Sequence, residues 1–439
     1  MEKLTKYKLG EIAKIYNGST PSTLDASNYD GDIIWATPKD LSDQNSKYFS
    51  KGARNITQKG FDSCSTQMIP ANNILMSSRA PIGLFAINTV DCCTNQGFKN
   101  IVLDKAIADV DFMYYFLKYH VKEIEALGSG TTFREVSKTA FEKYEISIPS
   151  LPTQQKIASV LSKLDRKISA NREINRNLEE LAKQIYDYWF VQFDFPNEEG
   201  KPYKSSGGKM VYNEVLKREI PAGWEIKKIS SQIKENIGGD WGKEEPEGNY
   251  QLKVSCCRGA DLVSMTDLPT RYILNSNSYK LLEEDDMIVE ISGGSPTQAT
   301  GRCVLISKEI LNSFNAKLIC SNFCQALSIS DKDYVSYFYY MWKMFYNSDV
   351  FFNFEGKTSG IKNFQYDTFV AEKWYFPPKD LAKKFKEIVS QNYMKKCALD
   401  QENKHLAALR DELLPLLMNG QVTLNSCLSQ YFNFVFYMF

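Results

Sequence analysis

The sequence predicts an α+β protein built as two related halves held on a pair of long antiparallel helices. Three observations predict it: a plan that recurs at a fixed offset, globular stretches that mix short β-rich runs with late helices, and two long segments whose apolar residues return every three or four positions. At 439 residues the chain is too long for one ordinary domain and suggests two or three, which leaves room for an internal duplication.

The duplication is clearest at the ends of the two halves. Asp109-Val-Asp-Phe-Met-Tyr-Tyr-Phe116 resembles Asp331-Lys-Asp-Tyr-Val-Ser-Tyr-Phe338, each an Asp-capped start to an aromatic helix. A polar loop with glycine follows each, Gly128-Ser-Gly-Thr-Thr-Phe133 and Gly356-Lys-Thr-Ser-Gly-Ile361, and then a strand-like run ending in proline, Glu145 to Pro149 and Lys373 to Pro377. From the loops onward the register is constant, since 356 − 128 and 377 − 149 both give 228.

The offset continues into two helical segments. In the first, Leu161, Leu164, Ile168, Asn171, Asn175, Leu178, Ala182, Ile185 and Trp189 alternate steps of three and four, the spacing of a coiled-coil seam. The matching stripe in the second is Val389, Asn392, Lys396, Leu399, Asn403, Leu406, Arg410, Leu413 and Leu417, poorer in apolar residues but widened by Phe385 and Leu409. Pro152 and Pro378 stand near the starts and Gly420 follows the second end. Either helix alone can pack on its own domain; two of like length and period can bury their seams against each other, with the Asn and Lys positions weakening the pair but fixing its register. Each covers about 38 residues, on the order of 57 Å at ~1.5 Å per residue.

The organisation that follows is two globular parts at 1–150 and 224–378, helices at 151–192 and 379–420, a linker at 193–223 and an aromatic tail at 421–439. The linker reading rests on Pro196, Pro202, Gly207, Gly208 and Pro221. Hydrophobic residues make up 43% and charged ones 24%, the balance of a folded globular chain. Lys plus Arg, 53, equals Asp plus Glu, 53, so no global positive charge announces a nucleic-acid partner; basic residues would have to cluster on one face. Ten Cys without a CxxC pair, and only His120 and His405, offer little material for a zinc site or an imidazole base and point to reduced thiols in a cytoplasmic protein. The sequence shows no signal-peptide core and no run of ~20 apolar residues, so no membrane partner is expected.

Leu9-Gly-Glu-Ile12, Gly18-Ser-Thr-Pro-Ser22, Trp35-Ala-Thr-Pro-Lys-Asp-Leu41, Ser77-Ser-Arg-Ala-Pro-Ile-Gly83, Thr94-Asn-Gln-Gly97 and Leu151-Pro-Thr-Gln-Gln-Lys-Ile157 occur in that order. Together they resemble the first target-recognition domain and central helix of type I restriction-modification specificity subunits. Arg258-Gly-Ala-Asp261, Ser292-Gly-Gly-Ser-Pro-Thr297 with Gly301-Arg302, and Ser321-Asn-Phe323 resemble the second recognition domain. Departures are the neutral charge, the polar second seam and the tail after Leu424. The resemblance implies a non-catalytic chain that binds a bipartite, asymmetric double-stranded DNA site. It also implies modification subunits that use S-adenosylmethionine and restriction subunits that use ATP and Mg, with no cofactor in this chain. The helix length limits the distance between half-sites to at most about 17 base pairs.

The residue types fit that expectation. Arg79 and Arg302 follow strand-like runs beside glycines and prolines, where a guanidinium can grip a guanine edge or a phosphate. Asn95, Gln96 and Asn322 carry the paired donor and acceptor that adenine requires. The same side chains are equally suited to pinning their own loops. Arg134, Lys357 and Lys362 can neutralise phosphates without reading sequence, or remain solvated loop charges.

Two other classes fit the sequence less well. A stand-alone methyltransferase or nuclease needs a cofactor loop and a catalytic motif. Gly356-Lys-Thr358 has Phe351 where a phosphate loop needs its first glycine, Ser292-Gly-Gly-Ser295 is interrupted by Pro296 and Gly301, and Phe376-Pro-Pro378 lacks the Asn or Asp of an amino-methyltransferase. A helical protein-interaction scaffold is opposed only by the Arg-, Asn- and Gln-bearing loops.

Overall fold

The computed structural model describes residues 4–44, 46–130, 134–265, 267–295, 297–358 and 361–419, with Lys357 and Thr358 described in their backbone alone. The chain forms two compact units, residues 1–171 with 402–439, and residues 172–401. Each unit therefore holds part of both long helices. The predicted tail, with Gly420, lies outside the described residues.

In the first unit β1 (Ala13–Asn17), β2 (Tyr48–Phe49), β3 (Ile74–Ser78), β4 (Ile82–Asn88) and β5 (Phe98–Leu103) form one sheet in the order β1-β5-β3-β4-β2. Its middle strands β3 and β5 are almost wholly buried, including the polar Ser77, Ser78, Lys99 and Asn100, and β3 is buried along its whole length, as a strand covered on both faces must be. Helix α1 (Val110–Tyr119) is capped by Asp109, whose carboxylate accepts the Phe112 N–H at 2.9 Å, and buries every residue from Phe112 to Leu117.

The second unit repeats the plan. Strands β6 (Ile233–Gly238), β7 (Met287–Glu290), β8 (Cys303–Leu305) and β9 (Cys324–Ile329) lie in the order β6-β9-β7-β8, which matches β1-β5-β3-β4 of the first unit without its outer strand β2. Helix α2 (Leu151–Tyr186) follows the first globular part, and in the second Asp331 accepts the Asp333 N–H at 3.0 Å and opens a turn that leads into α3 (Val335–Asn347). In both units a strand just before a long helix returns to the opening strand of the globular part: Glu145–Ile148 pairs antiparallel with Thr5–Lys8, and Lys373–Phe376 with Glu225–Lys228.

Helix α2 starts one residue before Pro152 and passes into a π turn at Asp187–Val191; α4 (Lys379–Met418) starts directly after Pro378. Within the first unit the two helices pair antiparallel. Leu161 and Leu164 share a core with Leu413 and Leu417, Asp165 binds Arg410 at 2.8 Å, and Asn171 donates to Glu402 at 2.7 Å and to Asn403 at 3.1 Å. Within the second unit Asn175 donates to Asp400 at 2.7 Å, Glu179 pairs with Lys396, and Tyr186 packs on Phe385. Of the expected seam, Leu161, Leu164, Ile168, Val389 and Leu413 are buried, while Leu178, Ile185, Leu399 and Leu406 are half-buried. Tyr186, next to Ile185, takes the buried position because the stripe drifts by one residue toward the π turn.

The two units seat their helices differently. In the first, buried Lys47 reaches Asp111 at 2.5 Å, Ser162 at 2.9 Å and Tyr115 at 3.1 Å, and Tyr115 in turn donates to Asp165. Burial pushes the Lys47 pKa down, and the Asp111 carboxylate opposes that shift. In the second, the contact is aromatic: Tyr186, Phe190, Tyr337 and Phe385 meet at ring separations of 4.9 to 6.0 Å. The stretch expected as a linker, 193–223, includes a hairpin, Met210–Asn213 with Arg218–Pro221, and Phe193 lies buried against Trp224 and Tyr375. Among the described residues no helix is long and apolar enough to cross a membrane.

Candidate nucleic-acid interface

The motifs Gly18–Ser22, Ser77–Gly83 and Thr94–Gly97 meet at one end of the first sheet, where the Ser19 N–H donates to the Thr94 carbonyl at 2.9 Å. The Ser78 N–H donates to the Gly97 carbonyl at 2.7 Å and the Val136 N–H to the Ser78 carbonyl at 3.1 Å, which draws the loops around residues 79, 96 and 135 together. At their centre buried Lys99 binds Glu135 at 2.9 Å and Ser78 at 3.3 Å. Arg79, in the turn between β3 and β4, stands 3.7 Å from the other Glu135 oxygen with over a third of its side chain exposed. Arg134 is exposed and donates to the Gly128 carbonyl at 3.3 Å. Residues 131–133 of that loop lie outside the described ones.

Asn95 and Gln96 separate into two roles. The Asn95 side-chain oxygen Oδ1 accepts the Gly97 N–H at 2.9 Å and so shapes the turn, whereas Gln96 stands exposed at its tip and accepts from the Thr20 hydroxyl. In the second unit Ser321 takes the shaping position, its hydroxyl accepting from the Phe323 N–H at 3.4 Å, and Asn322 takes the exposed tip. Among the described residues the Asn322 side chain makes no hydrogen bond. Two glycines mark the equivalence: a Cβ at Gly18 would overlap the Asn95 carbonyl, and one at Gly239 the Ser321 carbonyl.

A second equivalence links loops that the sequence motifs leave unpaired. The Thr37 N–H donates to Asp40 at 2.7 Å, and the Arg258 N–H to Asp261 at 2.9 Å, each just after a short parallel pairing of strands. Arg258 then folds back on Asp261 through Nε at 2.8 Å and Nη2 at 2.9 Å while remaining 49% exposed. This arginine belongs to a motif quoted from the sequence but was not among the candidate DNA contacts. The spacing Arg-x-x-Asp beside Thr-x-x-Asp is the signal that reveals it.

Arg302 is not the counterpart of Arg79. It opens β8, and its Nε and Nη2 bind both oxygens of Glu290, the last residue of β7, at 2.9 and 2.7 Å. Hydrogen bonding to Glu290 pushes the Arg302 pKa upward, so the group stays charged. Lys362 binds Glu355 at 2.7 Å and lies 4.8 Å from the Phe352 ring centre. Lys357 is its strand partner, and the Lys357 side chain lies outside the described part. Ser292–Gly293 pairs with that same hairpin, and the Ile291 and Ser292 N–H groups bond to the Phe323 carbonyl, so Lys362, Asn322 and Arg302 belong to one end of the second sheet.

Exposed amides and guanidinium groups are thus carried on turns at one end of the sheet in each unit. Residues 1–180 match the family of type I restriction modification DNA specificity domains. The chain is 30% identical over 434 residues to the type I restriction enzyme MjaIX specificity subunit of Methanocaldococcus jannaschii, covering 94% of this chain and 92% of that one. It is 29% identical over 203 residues to the EcoR124I/EcoR124II specificity subunit of Escherichia coli, covering 44% and 48%. Its fold is similar to that of a type I restriction-modification S subunit from M. genitalium, at a TM-score of 0.56 and 18% identity over 95% and 96% of the two chains. The chain belongs to the specificity subunits of type I restriction-modification enzymes, the non-catalytic components that carry DNA recognition.

Proposed function

We propose that the two units are separate reading heads for the two halves of an asymmetric double-stranded DNA site. The observation that carries this reading is one strand order framing two different turn tips, Gln96 in the first unit and Asn322-Phe323 in the second. A shared frame with different tips supports two different half-site sequences. Gln96 and Asn322 have the chemistry for adenine edges, Arg79 that for a guanine edge or a phosphate, and Arg134, Lys357 and Lys362 that for phosphates. Asn95 and Arg302 support the turns from inside.

The helices serve as the docking surface for modification subunits, and restriction subunits join the assembly. Ile174, Leu181 and Tyr188 support this, being exposed apolar residues seven positions apart on the outer side of α2 and its π turn. S-adenosylmethionine, ATP and Mg belong to those partners, and the assembly works in the cytoplasm.

The deciding experiment replaces residues 224–378 with the equivalent domain of a relative, keeps both helices, and maps methylated adenines in cells carrying the chimaera. One half of the site should change and the gap between halves should hold. A change in both halves, or a moved gap, defeats the two-headed reading.

A further inference from the structure

The turn before β9 carries a side chain that the fold does not use. Phe323 keeps 48% of its surface in solvent although its backbone is held on every side. The Ser321 N–H donates to the Cys257 carbonyl at 2.8 Å and the Cys324 N–H to Ser321 at 2.9 Å, while the Phe323 carbonyl accepts from Ile291 at 2.9 Å and from Ser292 at 3.2 Å. Ser321 itself is fully buried. A ring held half in water by a rigid turn is neither a core residue nor part of a frayed loop. The equivalent position in the first unit is Gly97, whose carbonyl accepts the Ser78 N–H in the same way, so the ring is an addition peculiar to the second unit.

Its surroundings are polar. Asn322 is its neighbour in sequence, and Arg258 directly follows the Cys257 carbonyl that holds the turn. On the floor of the DNA major groove, the thymine 5-methyl is an apolar feature set among hydrogen-bonding edges. An apolar ring beside an amide is the complement of a thymine methyl beside an adenine edge. We infer that Phe323 is a specificity-determining residue that contacts a thymine 5-methyl group in the half-site read by the second unit. This rests on the reading of that unit as a DNA-recognition head.

The test uses the full chain assembled with its modification subunits and a duplex carrying the site mapped by methylation. Each thymine of the second unit's half-site, assigned from the chimaera, is replaced singly by deoxyuridine, which removes only the methyl. Wild type should lose about fourfold in affinity at one thymine, the effect of one methyl-sized apolar contact. Phe323→Ala should bind the unmodified duplex weaker by a similar factor and no longer distinguish deoxyuridine at that position. A variant that keeps the discrimination, that weakens equally on every sequence, or that fails to hold the modification subunits while keeping its base preference overturns the inference. Wild-type protein that binds mapped and scrambled duplexes alike would instead overturn the DNA-reading role itself, and the inference with it.

Discussion

Glu290 and Arg302 form a two-pronged ion pair across neighbouring strands, with 3% of the acid's side chain and 18% of the arginine's exposed. The acid also lies against Gly259 and Gly293, where a Cβ would collide with its oxygen, so it is packed between two backbones as well as paired. Removing the arginine leaves a carboxylate in a space shaped for a neutralised one. Arg302→Ala should therefore destabilise the chain by about 3 kcal/mol, and replacing both partners by methionine should recover much of the loss. Thermal unfolding of the full chain measures this. An R302A protein that melts like wild type while losing base preference would make Arg302 a reader rather than a brace.

Arg79 differs because its contact with Glu135 is long and open to solvent, and Glu135 keeps Lys99 as a partner. Arg79→Ala should leave the melting temperature nearly unchanged. Specific binding should fall by ~1 to 3 kcal/mol if the guanidinium reads a base, with the loss confined to the first half-site. Equal weakening on all sequences would assign it to a phosphate.

Leu164 is buried with Leu161, Leu413 and Leu417 where α2 and α4 meet in the first unit. A charge there has no partner, so Leu164→Asp should cost about 4 kcal/mol and abolish assembly with modification subunits before base preference changes. Leu178, half-buried, should show the milder form of the same loss. Co-purification with the modification subunits reads the outcome, and normal recruitment by L164D would show that this contact does not support assembly.

Burial pushes the Cys92, Cys93, Cys256 and Cys324 thiols up to about 12. At pH ~8 that leaves about one thiolate in ten thousand, so iodoacetamide should label these four only after unfolding. Mass spectrometry of cysteine peptides distinguishes them from Cys64, which is partly exposed. Rapid labelling of Cys256 or Cys324 in the folded chain would show that the second sheet opens.

Much of the frame was legible because it is periodic. The three-four spacing of Leu161, Leu164 and Ile168 is local and survives as a buried face, and the matching Asp109 and Asp331 caps mark the duplication in the chain. The interior of each half was less legible because its offset is not constant: Asp261 follows Asp40 by 261 − 40, or 221, and Ser321 follows Asn95 by 321 − 95, or 226. Insertions between strands account for the drift, and they hid the likeness of Thr37-Asp40 to Arg258-Asp261. They also made Arg79 and Arg302 look alike, although one lies in a turn and the other opens a strand. Asn95 is held by its own turn, through the Gly97 N–H two residues on, whereas Gln96 meets Thr20 from a loop 76 positions away, a contact that no local pattern reports.

The turn tips are separated energetically from the frame that holds them. Asn95 and Ser321 fix the backbone from within, so a change at Gln96, Asn322 or Phe323 leaves the core and its hydrogen bonds as they were. Such positions can vary without a stability threshold to cross. If these tips read bases as proposed, a lineage carrying this protein would acquire a new DNA preference by one substitution in a chain that still folds and assembles. Because the same subunit would direct both protection and cutting, the two activities would change target together.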